Sequence, residues 1–160
     1  MPFNIKEFPV LKLPAVEFKT KQGIEQRTEI FDAFRNKYVV LTPEEWVRQH
    51  MLHYLVNNFR YPKNLIGVEV QVNRAGKKER ADIVIYLSNM EPWMIIECKA
   101  AAVELKQHVF DQAARYNLVH GVKYLVITNG IRLIAAELDS KLNSFNFLRE
   151  IPPYPLSPLL

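Results

Sequence analysis

Ile66, Val68, Val70 and Val72 alternate with Gly67, Glu69, Gln71 and Asn73, a period of two that predicts a strand with one polar face. A polar turn containing Gly76 leads to a second apolar run, Asp82 to Leu87, and Ser88 to Pro92 leads to a third, Trp93 to Lys99. Three such runs in succession predict an antiparallel meander. Ahead of them, Thr42-Pro43-Glu44-Glu45 marks a helix start, with Thr42 as N-cap, Pro43 at the first helical position and Glu45 closing a capping box. Val47, Met51, Tyr54 and Leu55 follow at helical spacing until Tyr61-Pro62, which predicts a helix from about Pro43 to Phe59.

After the meander the pattern predicts a helix from about Val103 to His120, a strand from Lys123 to Thr128, a tight turn at Asn129-Gly130 and a strand from Ile131 to Leu138. The strand-helix-strand step makes its two strands parallel with a right-handed crossover. The fold class is therefore α/β, a mixed twisted sheet flanked by helices. Pro2, Pro9 and Pro14 keep the first residues irregular, and Val16, Phe18, Ile24 and Ile30 around Gln22-Gly23 suggest a hairpin. The organisation expected is an N-terminal extension over 1–29, a domain over 30–138 and a proline-rich tail over 139–160, an extended arm holding Pro152, Pro153, Pro155 and Pro158.

Composition narrows this reading only a little. Hydrophobic residues at 49% and charged residues at 24% are ordinary for one globular domain, and 160 residues can bury a core without staples. A net charge of +4 suits a polyanionic partner without demanding one. The single cysteine rules out an internal disulfide and a multi-cysteine zinc site. No run is apolar enough for a signal peptide or a membrane span, so the expected location is the cytoplasm. The four histidines lack zinc spacing, no serine has a nucleophile-elbow context, and there is no G-x-x-x-x-G-K-[ST] loop for an ATP-driven motor.

Charge inside apolar strands is the strongest chemical signal. Glu97 and Lys99 are two apart, so a strand points both to one face, and they close the apolar run from Trp93 to Ile96. Asp82 heads the run Ile83 to Tyr86 in the same way. Buried charges are paired or bind metal. Two carboxylates and an ammonium are either a hard-oxygen pocket for a divalent ion such as Mg²⁺ or a structural ion pair at the sheet edge. For Asp82 and Glu97 to face one ion, opposed residues of their strands must carry numbers that add to an odd value, as in 82 opposite 97. Arg74, Lys77, Lys78 and Arg80 cluster in the turn before Asp82, where they either contact nucleic-acid phosphates or are simply solvated.

Tyr61-Pro62, Glu69, Arg80-Ala81-Asp82, Glu97-Cys98-Lys99-Ala100, Gln112 to Asn117 and Thr128-Asn129-Gly130 together resemble the N-terminal nuclease domain of type I restriction enzyme R subunits, in particular the short stand-alone bacterial members. The likeness spans about residues 30 to 137. It implies a restriction-endonuclease-like PD-(D/E)XK core in which Asp82 and Glu97 bind Mg²⁺, with Mn²⁺ as a substitute and the Cys98 carbonyl as a further ligand. It implies Lys99 as the catalytic lysine and a Q-x3-Y motif at Gln112 and Tyr116, on one helix face; packing and solvation are the alternative roles for that pair. Members often carry an acidic residue on the first helix. Glu44 is preferred for it because capping already explains Glu45. The function implied is Mg²⁺-dependent cleavage of DNA, with motor and specificity supplied by other restriction or defence subunits. The alternative is a catalytically inactive nucleic-acid-binding or structural subunit.

Overall fold

The alternating run at Ile66 becomes β4 (Ile66–Arg74), the first strand of a six-stranded sheet that also holds β5 (Lys77–Tyr86), β6 (Pro92–Cys98), β7 (Tyr124–Thr128), β8 (Leu133–Asp139) and β9 (Ser144–Leu148), in that order across the sheet. The structure is a computed structural model that describes residues 7–74 and 77–155, with the side chains of 73–78, 116 and 118–120 outside the description. β4, β5 and β6 form the expected antiparallel meander, β6 pairs parallel with β7 across α2 (Gln107–His120), and β7, β8 and β9 are antiparallel. β5 begins five residues earlier than Asp82 because backbone pairing from Arg74 opposite Lys77 needs no apolar alternation.

The two helices cover opposite faces of this sheet. α1 (Pro43–Asn57) packs Val47, Met51, Leu52 and Leu55 on Ile83, Ile85, Met94 and Ile96. α2 packs Phe110 and Ala114 on Val84, Ile95, Leu125 and Ile127. Adjacent residues of β6 thus enter different cores, as a strand's period of two requires. Thr42 caps α1 by accepting the Glu45 N–H at 3.1 Å, but the Glu45 side chain does not return to close a capping box. α2 starts four residues later than expected: the Val103 carbonyl accepts from Asn129 Nδ2 at 2.8 Å and Leu105 enters the core, which holds the segment as a loop.

The chain ends depart further from expectation. β1 (Thr20–Gln22) and β2 (Thr28–Asp32) form the hairpin around Gln22-Gly23, and β3 (Lys37–Val40) makes it a three-stranded sheet. The tail is not an arm, because β9 pairs along β8 and Ile151 is buried in the α1-side core. Asn129-Gly130 turns the chain, though over four residues: Asn129 Oδ1 accepts the N–H groups of Ile131 and Arg132. Gly130 is needed there, with φ of 78° and Leu11 packed where a side chain would go. Among the described residues no helix is long and apolar enough to cross a membrane.

Candidate functional site

The described ladder between β5 and β6 reaches Ile83 opposite Ile96, a register that continues to Asp82 opposite Glu97 and meets the odd-sum condition. At that point the Asp82 carboxylate takes over as a partner for the neighbouring strand: Oδ2 accepts the Cys98 N–H at 2.7 Å. Its Oδ1 accepts from Arg48 Nη2 at 2.6 Å, so both oxygens are fixed. Glu97 shares a hydrogen bond with Asp82, and burial first, then the Asp82 charge, push the Glu97 carboxyl up to about 7 against the pull of Lys99 and Arg48. The Cys98 side chain lies in the α1-side core, where burial holds the thiol well above its ordinary range.

Glu97 and Lys99 open into a cleft of about 300 Å³ whose walls also include Gln112 and Ala113 of α2 and Glu79 and Arg80 of β5. Four of the residues singled out in the sequence, Arg80, Glu97, Lys99 and Gln112, therefore meet in one cavity, and Asp82 adjoins it through Glu97. Tyr116 is one turn beyond Gln112 on α2, but its side chain lies outside the described residues. So do the side chains of Arg74, Lys77 and Lys78, although the backbone sets Arg74 opposite Lys77 and Asn73 opposite Lys78 at the end of the β4–β5 hairpin. Arg80 is largely exposed, with Nη1 3.3 Å from Glu69 Oε2.

On α1 the acidic residue beside the site is Glu45, not Glu44. Glu44 is exposed, whereas Glu45 is buried and engages Arg48, Gln49 and Arg35. Capping uses only the backbone of Glu45, so its side chain is free for these partners. Arg48 and Arg35 carry no mark in the sequence, and Glu69, one of the residues of the family resemblance, has no role assigned to it there. Arg48 stands three residues after Glu45, which reads as a surface pair on a helix, yet it is buried and reaches both Asp82 and Glu69. Glu69 fits the polar face of β4, and only its φ of 53° reveals a local departure from strand geometry.

A divalent ion fits this donor set. Among the described residues no three His, Cys, Asp or Glu side chains gather as a ready cage. The candidate ligands are two interacting carboxylates and a backbone carbonyl, a hard-oxygen set suited to an ion that keeps several waters. Burial first, and the Asp82 charge second, disfavour the ionised form of Glu97, a cost that a cation held by the pair would offset.

An α/β domain with paired carboxylates and a lysine at the ends of adjacent strands defines a class, and comparison with known proteins gives the family. The family model described as Type I restriction enzyme R protein N terminus matches residues 43–152, most of the chain. The chain belongs to that family. Among solved structures it is similar to a chain described as a fragment of an HsdR subunit of a type I restriction enzyme from Vibrio vulnificus, at 24% identity and a TM-score of 0.36, over 55% of this chain. The match spans 17% of that longer chain. No curated protein matches.

Proposed function

We propose that the domain is a Mg²⁺-dependent DNA endonuclease with a PD-(D/E)XK core, Mn²⁺ serving as a substitute. The observation that carries this reading is the meeting of Glu97, Lys99 and Gln112 in one cleft with Asp82 hydrogen-bonded to Glu97. Asp82 and Glu97 would hold the ion, with the Cys98 carbonyl as a further ligand. When bound, the ion supplies Lewis-acid polarisation of a phosphoryl oxygen and of a water. Lys99 orients that water or the scissile phosphate by donating hydrogen bonds and offsets the charge that develops on the phosphoryl oxygens. Gln112 and Tyr116 order the substrate at the α2 wall. Arg80, with Arg74, Lys77 and Lys78, contacts flanking phosphates, a role that sets affinity rather than sequence preference. Family membership supports association with other subunits of a restriction system, which would supply motor and specificity.

Supercoiled plasmid incubated with the protein should be nicked with Mg²⁺ or Mn²⁺ and left intact in EDTA. Lys99→Ala should lose about 10²-fold or more in rate, with thermal melts confirming that it is folded and DNA binding little changed. A Lys99→Ala protein that cuts like the parent defeats the assignment, and a parent inert with every divalent ion favours the binding-only alternative. Replacing Lys77 and Lys78 together by Gln should weaken DNA binding and reduce its salt dependence by about two counter-ions' worth of slope.

A further inference from the structure

Asp82 stands at the end of a line of alternating charges that begins in the N-terminal sheet. Asp32, at the end of β2, is fully buried and accepts the Phe34 and Arg35 N–H groups at 2.7 and 3.0 Å as well as Arg35 Nε, which fixes the turn into β3. Arg35 Nη2 then donates to Glu45 Oε1 at 2.6 Å. Glu45 Oε2 accepts from Arg48 Nη1, and Arg48 Nη2 donates to Asp82 Oδ1 at 2.6 Å. Gln49 Nε2 adds a bond to Glu45 Oε1 at 2.8 Å. The side chains of Asp32, Arg35, Glu45, Arg48 and Asp82 are 0, 15, 6, 8 and 16% exposed, so water screens the line poorly along its whole length.

Stability alone is a weak reason for such a line, since buried ion pairs often do no better than apolar residues of the same volume. This one also leaves Arg48 Nε and Gln49 Oε1 buried without partners, a cost a purely stabilising network would be expected to avoid. What the line does achieve is orientation. Arg48 is gripped by Glu45, Glu45 is gripped by Arg35, and the far end fixes one oxygen of Asp82 while the Cys98 N–H fixes the other.

We propose that Arg35 is a positioning residue for the metal site, acting on Asp82 through Glu45 and Arg48. The inference rests on the metal reading above and extends it to the N-terminal sheet, which lies ahead of the segment that the family model matches. The β1–β3 sheet is thereby part of the machinery of the site, because its β2–β3 turn holds the first arginine of the line.

Calorimetric titration of Mn²⁺ into the full chain tests this with four proteins: the parent, Arg35→Gln, Asp82→Asn and Val126→Ala. Val126 is buried in the core on β7, a strand that contributes no residue to the line, so its variant controls for lost stability. Removing a direct outer partner of a metal ligand weakens metal binding by about 10–100-fold, and Arg35, which acts through Glu45 and Arg48, belongs at the low end of that range. Arg35→Gln should therefore bind Mn²⁺ about tenfold more weakly and need correspondingly more Mn²⁺ for half-maximal nicking, with DNA affinity unchanged. Asp82→Asn should lose binding, and Val126→Ala should keep the parent's affinity. Arg35→Lys retains the charge but not the fork that reaches both carboxylates, and it should fall between parent and Arg35→Gln; it also carries the test if Arg35→Gln does not fold. An Arg35→Gln affinity equal to or tighter than the parent's, with Asp82→Asn still defective, overturns the positioning role and leaves the metal site standing. A parent that binds no Mn²⁺ overturns both.

Discussion

His50 shows how one buried ionisable ring ties stability to pH. Its ring centroid lies 4.2 Å from that of Trp46 and 4.9 Å from that of Phe18, and Nδ1 is 2.9 Å from the Trp46 carbonyl, which can only accept. Burial lowers its proton affinity below the ordinary imidazole range, as it does for His53, which also feels Lys63. The folded state therefore prefers the neutral ring and the unfolded chain takes the proton first. This contribution is full above pH 6.5 and is lost as pH falls through and below that value, at up to about 1.4 kcal/mol per pH unit for each proton. In EDTA Glu97 acts in the opposite sense. Its raised carboxyl favours the folded state as pH falls from about 7 toward 4.5. The imidazole effect is thus read from a difference: urea unfolding of parent and His50→Gln at pH 7.5 and 5.5 should show the variant's deficit shrinking at the lower pH. An equal deficit at both values would mean that His50 does not titrate in the folded state as described.

Individual elements separate conformational cost from packing cost at two glycines. Gly121 closes α2 with φ of 63°, its N–H reaches the Asn117 carbonyl at 2.8 Å, and among the described residues outside its own helix no atom lies within 4 Å of where a Cβ would go. Gly121→Ala should cost about 1 kcal/mol, the backbone penalty alone. Gly130 has a similar φ, but a Cβ would fall 2.7 Å from Leu11 Cδ2, and its carbonyl accepts the Lys12 N–H at 2.7 Å. Gly130→Ala should cost distinctly more in chemical denaturation, because Leu11 must leave its seat as well; equal costs would show that the N-terminal segment is not docked there.

Elements with local signals were legible in the sequence: the Thr42 cap and Pro43 at α1, the alternation in β4, and the apolar runs of β6 and β7. β3 and β9 were not, since Lys37–Val40 and Ser144–Leu148 are short edge strands that owe their pairing to β2 and β8 rather than to a burial pattern of their own. The site divides in the same way. Asp82, Glu97 and Lys99 stand out as charges within apolar runs. Arg35, Glu45, Arg48 and Glu69 look like surface polar residues until folding brings a turn, a helix and a strand together.

The molecule as a whole closes its α1-side core with both ends of the described chain. Phe8 stacks on Trp46, whose Nε1 donates to the Pro9 carbonyl at 3.1 Å. At the other end Ile151 is buried, Tyr61 donates its hydroxyl to the Pro152 carbonyl, and Tyr154 donates to the Tyr86 carbonyl at 2.9 Å while its ring packs edge-on against Tyr61 and Trp93. The two tryptophans therefore report on different ends of one core, Trp46 on the N-terminal segment and Trp93 on the segment after β9. If that core is a single cooperative unit, fluorescence dominated by either tryptophan, isolated by Trp46→Phe or Trp93→Phe, should lose its folded signal at the same denaturant concentration as the far-UV circular dichroism of that variant. Ile151→Ala removes most of a fully buried side chain at the far end of the chain and should cost about 2–4 kcal/mol, lowering the midpoint seen by both probes together. A midpoint that stays put, or one that moves for Trp93 and not for Trp46, would mean that the segment after β9 unfolds apart from the rest and that the core is completed without it.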